Sequence, residues 1–137
     1  MIVKDVMSER VIRVTPDSGV QEIAIAMRDG DLGSIPVEDD DKLIGMVTDR
    51  DIVIRGLTGS VEIHLLTARD VMSPNVKYCF EDQTVSEVLE NMGDERIRRL
   101  PVVSRKKRLV GIVSLGDLAQ GSAADKSGEA LEDITKK

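Results

Sequence analysis

The chain reads as an α+β protein in which one β-α-β-β-α unit is written twice. Three observations predict it. Asp5-Val6-Met7-Ser8 recurs as Asp70-Val71-Met72-Ser73, Val20-Gln21-Glu22 as Val85-Ser86-Glu87, and Ile35-Pro36-Val37 as Leu100-Pro101-Val102, all at a spacing of 65. A heptad, Gly45-Met46-Val47-Thr48-Asp49-Arg50-Asp51, returns as Gly111-Ile112-Val113-Ser114-Leu115-Gly116-Asp117 at an offset of 66, so the second copy carries one extra residue in the preceding turn. Within each copy the hydrophobic period switches between helix-like and strand-like spacing. A fixed spacing with one insertion in a turn is the mark of a duplicated supersecondary unit.

The elements follow in order. A short segment over residues 3–7 precedes a strand near residues 11–14. Thr15-Pro16-Asp17-Ser18 predicts a turn and helix start, with Asp17 or Ser18 as the cap. A helix over residues 19–28 places Val20, Ile23, Ala24 and Met27 on one buried stripe. The second copy repeats the stripe as Val85, Val88, Leu89 and Met92, capped near Asp82 or Thr84. Gly30 and Gly33 break the chain before a strand at residues 35–37. Glu38-Asp39-Asp40-Asp41 is a solvated hairpin tip, and its basic counterpart is Ser104-Arg105-Lys106-Lys107-Arg108. The two tips are either solvated turns or a pairing between neighbouring subunits. A strand over residues 43–48 then feeds a helix over residues 49–57. Ile52, Val53, Ile54 and Leu57 make that helix apolar around more than one face, which predicts contact with a second subunit. The expected organisation is residues 1–58 and 68–120 as the two repeats, 59–67 as a connector, and 121–137 as a flexible tail with at most a short helix at 129–134.

Composition narrows the function. The formal net charge of −6 argues against a general nucleic-acid binder. Residues 1–64 hold 7 Lys/Arg against 13 Asp/Glu, whereas residues 65–120 hold 9 against 8, so a basic anion-binding cluster is expected in the second half. Tyr78 and Phe80 are the only aromatics, which disfavours a base-stacking platform. Cys79 and His64 are each alone, so a disulfide, a multi-cysteine metal site and a Cys-His pair are not expected. No basic-then-apolar segment opens the chain and no apolar run approaches membrane-spanning length, which predicts a soluble, cytoplasmic protein.

The heptads carry the chemistry. Each sets a hydroxyl, Thr48 or Ser114, at the end of an apolar strand, where the next helix offers unpaired N–H groups and a partial positive charge suited to phosphate. Asp51 or Asp117 follows three residues later, and its two oxygens match two vicinal ribose hydroxyls. The same spacing also suits a capping box, in which hydroxyl and carboxylate serve only the helix start. The residues alone leave both readings open.

With these motifs in view, the chain resembles a tandem pair of CBS domains, the Bateman module, and in particular the small stand-alone CBS-pair proteins. The resemblance rests on the two Asp-Val-Met-Ser motifs, the Ile35-Pro36-Val37 and Leu100-Pro101-Val102 strands and the two heptads, and it covers roughly residues 1–120. It implies two repeats packed about a pseudo-twofold axis, with clefts that bind AMP, ADP or ATP, less often S-adenosylmethionine. It implies that Asp51 and Asp117 hold ribose hydroxyls and that Thr48 and Ser114 face phosphate or ribose. It groups Met7, Ile12 and Gly33 with Ser114 and Asp117, and Met72, Lys77 and Arg98 with Thr48 and Asp51. Arg98 and Arg99 match the place where basic residues reach phosphate, while the matching Gly33-Ser34 is uncharged. Arg99 is therefore the first choice for phosphate and the Asp117 cleft the tighter site. Lys77 departs from the aliphatic residue usual at its place and so weakens the case for adenine in the Asp51 cleft.

The function expected is a regulatory, non-enzymatic sensor of adenosine-containing ligands, with no required cofactor or metal. It would act as a homodimer on a regulated partner protein, without nucleic acid or membrane. The alternative is a dimerising interaction module with vestigial clefts.

Overall fold

The computed structural model describes residues 1–92 and 98–135, with side chains described as far as residue 125. In chain order its regular helices and strands are α1 (Val3–Val6), α2 (Val20–Gly30), β1 (Ser34–Asp39), β2 (Lys42–Thr48), α3 (Asp49–Asp51), α4 (Ala68–Val71), β3 (Cys79–Phe80), α5 (Val85–Met92), β4 (Arg99–Val103), β5 (Leu109–Ser114) and α6 (Leu115–Thr135). A π-helical turn, Ile52–Gly56, continues α3, and a 3-10 turn, Ile63–Leu65, lies in the connector. The chain divides into two compact units: a central unit of Ile12–Val76 and Lys107–Leu109, and a flanking unit of Met1–Val11, Lys77–Lys106 and Val110–Lys137. Both mix helix and strand, which makes the fold α+β.

The units are not the sequence repeats. The leading Asp5–Ser8 segment of the first repeat lies in the unit built mainly from the second, and Asp70–Ser73 lies in the unit built mainly from the first. The extended ends of these segments are where the exchange pays off in hydrogen bonds, as described below.

In the central unit α2 buries Val20, Ile23 and Met27, while Ala24 is exposed, so the stripe is narrower than its spacing predicts. Its N-cap is the extended Gly19, with no side-chain bond. Ser18 Oγ instead accepts the Thr15 N–H at 3.0 Å and closes the preceding turn, so neither Asp17 nor Ser18 caps this helix. The helix ends at Asp31, which is left-handed at φ 51°, and not through the conformational freedom of Gly30. Aspartate tolerates this conformation better than most residues.

The β1–β2 hairpin pairs Ile35 with Val47 and Val37 with Gly45, with a register shift after Val37. Asp40 and Asp41 at φ 53° and 64° form its tight turn, the twist-matched type for a two-residue hairpin. The expected strand at residues 11–14 shrinks to one parallel bridge, Val14 to Val37. The acidic tip meets the basic one within the chain. The Leu43 N–H donates to Lys107 O at 3.3 Å and the Leu109 N–H to Asp41 O at 2.9 Å. The core is aliphatic: Val20, Ile23, Met27, Ile35, Val37, Val47, Ala68 and Val71.

The flanking unit orders its strands β3-β4-β5, with Cys79 paired in parallel with Val102. Its core is Val3, Cys79, Val85, Val88, Met92, Leu100, Val102, Val113 and Leu118. Each such side chain contributes about 2 kcal/mol by leaving water. Thr84 caps α5 by accepting the Glu87 N–H at 3.2 Å. Burial pushes the Cys79 thiol up to about 12, so Cys79 acts as a small apolar group.

The expected flexible tail is not a coil in this structure. Helix α6 runs unbroken to Thr135. Gly121 lets it approach closely, since a Cβ there would lie 3.2 Å from Val6 Cγ1 and 3.4 Å from Val85 Cγ2. The amino terminus also pairs with Asp125 Oδ2 at 3.1 Å. These contacts, together with Ala123 and Ala124, favour helix where Gly and Ser would not.

Candidate functional site: two strand-to-helix corners

Each unit contains one heptad corner, and the two are built alike. In the central unit β2 ends at Thr48. The Asp51 N–H donates to Thr48 Oγ1 at 3.0 Å, and the Thr48 N–H donates to Asp51 Oδ2 at 2.9 Å. In the flanking unit the Asp117 N–H donates to Ser114 Oγ at 3.0 Å, and the Ser114 N–H to Asp117 Oδ2 at 3.3 Å. Both corners are therefore reciprocal capping boxes. The box uses one oxygen of each half-buried carboxylate and fixes its direction. Among the described residues Oδ1 of Asp51 and of Asp117 takes part in no hydrogen bond. The capping reading and a ligand role are thus compatible, because one oxygen orients the group and the other is available.

The glycine that opens each heptad has a defined purpose. A Cβ on Gly45 would lie 2.6 Å from Met72 Sδ and 3.2 Å from Ser73 O. A Cβ on Gly111 would lie 2.5 Å from Met7 Sδ and 2.9 Å from Ser8 O. Met46 and Ser73 exchange backbone hydrogen bonds of 3.0 and 2.9 Å, and Ser8 and Ile112 exchange bonds of 2.8 and 2.9 Å. Each Asp-Val-Met-Ser motif is hence a clasp on a heptad strand. Its Asp caps a four-residue helix: Asp5 Oδ2 accepts the Ile2 N–H, and Asp70 Oδ2 accepts the Thr67 N–H, both at 2.9 Å. Its Met then covers the glycine and its Ser pairs with the strand.

A third backbone bond also recurs. The Asp49 N–H donates to Gly33 O at 3.0 Å, and the Leu115 N–H to Arg98 O at 2.8 Å. Gly33 and Arg98 thus hold matching places, each at the start of a corner in its own unit. The tie is a backbone bond within each unit; the expected grouping of Gly33 with Ser114 and Asp117, and of Arg98 with Thr48 and Asp51, concerns side chains around a ligand and is a separate proposal. The cause is local: the residue before each hairpin's first strand ties back to the end of the second strand of the same hairpin. Met7 does lie in the unit of Ser114 and Asp117, against Gly111, and Met72 in that of Thr48 and Asp51. Ile12 is exposed in the central unit, near Gly30, and Lys77 is exposed in the flanking unit. Arg99 is exposed at the first position of β4.

Two residues were not legible as site residues. Asp49 adds a second carboxylate to the central corner, where the flanking corner has Leu115; its Oδ1 accepts the Arg50 N–H at 2.8 Å. Arg55 Nη1 donates to Val71 O at 3.2 Å and Met72 O at 3.0 Å, tying the π turn to the central clasp. Position 121, which matches residue 55 at the 66-residue offset, is glycine. Only the unequal repeat positions hinted at either role.

Among the described residues no group of three or more His, Cys, Asp or Glu side chains is gathered as a metal site requires. No helix there is long and apolar enough to cross a membrane.

Comparison with known proteins agrees with this architecture. The CBS domain pattern matches residues 3–56 and again 68–123. The uncharacterized protein YlbB of Bacillus subtilis (strain 168) is 39% identical over 137 residues, spanning 98% of this chain and 91% of YlbB. The crystal structure of Hypoxic Response Protein I with two coordinated zinc ions shares 36% identity, with a TM-score of 0.77 over 88% of this chain and 98% of that one. The CBS domain pair of protein MJ0100, in complex with 5′-methylthioadenosine and S-adenosyl-L-methionine, shares 29% identity, with a TM-score of 0.71 over 88% of this chain and 98% of that one. Two matches to one pattern, each spanning a heptad and the clasp motif that opens its repeat, establish that the chain belongs to the CBS domain family and carries two CBS motifs.

Proposed function

We propose that this protein is a regulatory, non-enzymatic module that binds adenosine-containing ligands at its two heptad corners. AMP, ADP or ATP is the first choice, and S-adenosylmethionine the alternative. One observation carries the reading: the corner occurs twice with the same bonds, and each time one carboxylate oxygen is left for a ligand. A carboxylate oxygen of fixed direction suits a ribose hydroxyl donor. The adenosine ligands of the MJ0100 pair support the choice of ligand class. Arg99 is assigned to phosphate at the Asp117 corner. Thr48 and Ser114 are assigned to phosphate or ribose, in addition to their capping role.

We also propose a homodimer. Val53, Ile54 and Leu57 on and after the π turn are 52, 51 and 63% exposed, an apolar surface that a second copy would cover. That surface equally supports the second reading, an interaction module in which the corners only cap helices. Isothermal titration and thermal shift with AMP, ATP and S-adenosylmethionine separate the two. Binding heat and stabilisation are expected; no response to any of them at millimolar concentration leaves only the interaction module.

A further inference from the structure

One junction is built differently in the two units. In each, the helical turn that follows the corner meets the end of the short helix that opens the clasp. In the flanking unit Gly121 makes this contact by packing, since a Cβ there would lie 3.2 Å from Val6 Cγ1. In the central unit the matching position is Arg55 and the matching valine is Val71. Arg55 Nη1 donates to Val71 O at 3.2 Å and to Met72 O at 3.0 Å. These carbonyls close α4, beyond the reach of its own N–H groups, and a guanidinium gives them charge-assisted bonds. Gly56 beside it is buried, and a Cβ there would lie 3.0 Å from Ile63 Cδ1, so the π turn is seated closely on the connector.

The Arg55 bonds complete a ring. Asp51 is boxed to Thr48 at the end of β2, and Met46 on the same strand exchanges backbone bonds with Ser73. Met72, next to Ser73, is tied to Arg55, and the π turn leads from Arg55 back to Asp51 without a break. We propose that Arg55 is a positioning residue of the central corner, which carries occupancy at Asp51 to the Asp70–Ser73 clasp. This rests on the adenosine-ligand reading above and adds to it the route by which the central corner reports its ligand. A ligand on Asp51 Oδ1 restrains the start of the helical turn. Arg55, four residues on, passes that restraint to two carbonyls of the clasp, so the clasp opens less often when the corner is filled. The coupling is reciprocal, and a clasp held by Arg55 makes the corner bind more tightly.

The test is amide hydrogen exchange of the whole chain, free and with millimolar AMP, with calorimetric titration of AMP alongside. The variants are Arg55→Met, which keeps the stem and removes the donors, and Arg55→Lys, which restores a charged donor. Without ligand, Arg55→Met should speed exchange of the Met46 and Ser73 amides about tenfold or more and leave those of Ser8 and Ile112 unchanged. In wild type, AMP at ten times its midpoint should slow Met46 and Ser73 about tenfold. That slowing should persist in Arg55→Lys and fall to about twofold or less in Arg55→Met. A residue that merely stabilised the clasp would change the free rates and leave the AMP-induced ratio as it was. An unchanged ratio in Arg55→Met, or AMP heat in wild type without slowing at Met46 and Ser73, overturns the coupling while the adenosine reading stands. Neither heat nor slowing with AMP, ATP or S-adenosylmethionine overturns both.

Discussion

Set side by side, the central and flanking corners show how a duplicated unit can keep its geometry and change its chemistry. The capping box, the clasp over the glycine and the tie from the residue before the hairpin are present in both. These are backbone bonds, or bonds to backbone, and any drift would open the strand-to-helix joint. What differs are residues set around this frame: Gly33 against Arg98, Asp49 against Leu115, Arg55 against Gly121. The lesson is that the bonding frame of a duplicated unit can stay fixed while the residues around it change.

The sharpest way to break the comparison is at the glycines. Gly111→Ala should destabilise by about 3 kcal/mol and Gly45→Ala by about 1 kcal/mol, read by urea denaturation. The order follows from what cannot move. At Gly111 the new Cβ meets a ladder carbonyl, Ser8 O, at 2.9 Å, whereas at Gly45 the ladder carbonyl is at 3.2 Å and the close neighbour is the flexible end of Met72. Met72→Ala should accordingly rescue Gly45→Ala, and Met7→Ala should rescue Gly111→Ala only in part. Equal costs and equal rescue would show that the clasps are interchangeable after all.

Ligand binding sharpens the comparison next. Asp117→Ala should weaken ATP about tenfold or more, while Asp51→Ala leaves ATP nearly unchanged. Titration giving the reverse order would remove the inequality between the corners. Capping should be smaller and more even. Thr48→Ala and Ser114→Ala should each cost about 1 kcal/mol, with Thr48 no less than Ser114, because its box has the shorter return bond, 2.9 against 3.3 Å.

The smallest effect at neutral pH is expected at Cys79, whose place in the first repeat is held by Val14. Burial raises the thiol from 9.0 to about 12, so the neutral form is favoured by the fold. That stability is complete below pH 9 and is lost as pH rises from about 9 towards about 12. Cys79→Val should be near neutral at pH 7 and should flatten the alkaline limb of a stability profile. A limb unchanged in the variant would assign it to other groups.

Much of this was legible in the sequence, and the part that was not has one cause. The duplication, the hairpins around Asp40 and Lys107, the Val85–Met92 helix and the hydroxyl–aspartate corners rest on local spacing, and local spacing is what a sequence displays. The capping box was visible for the same reason. The exchange of clasps was not, because Ser8 pairs with Ile112 and Ser73 with Met46 across long stretches of chain. The strand expected at residues 11–14 shrank because only Val14 meets a partner strand. The π turn after Asp51 and the helix continuing through residues 121–135 depend on tertiary contacts that override local propensity, Arg55 on the Val71 and Met72 carbonyls in one case and Gly121 against Val6 and Val85 in the other.

The exchange of clasps also has a consequence in time. Apart from residues 107–109, the central unit is complete once Val76 has left the ribosome, with heptad and clasp both in hand. The flanking unit is not: Met1–Val11 are made well before the rest of it, and Ser8 waits for Ile112. Domains fold as they emerge, and long-range pairings form late. The Asp5–Ser8 clasp is therefore synthesised long before the strand it holds and is seated only once that strand has been made.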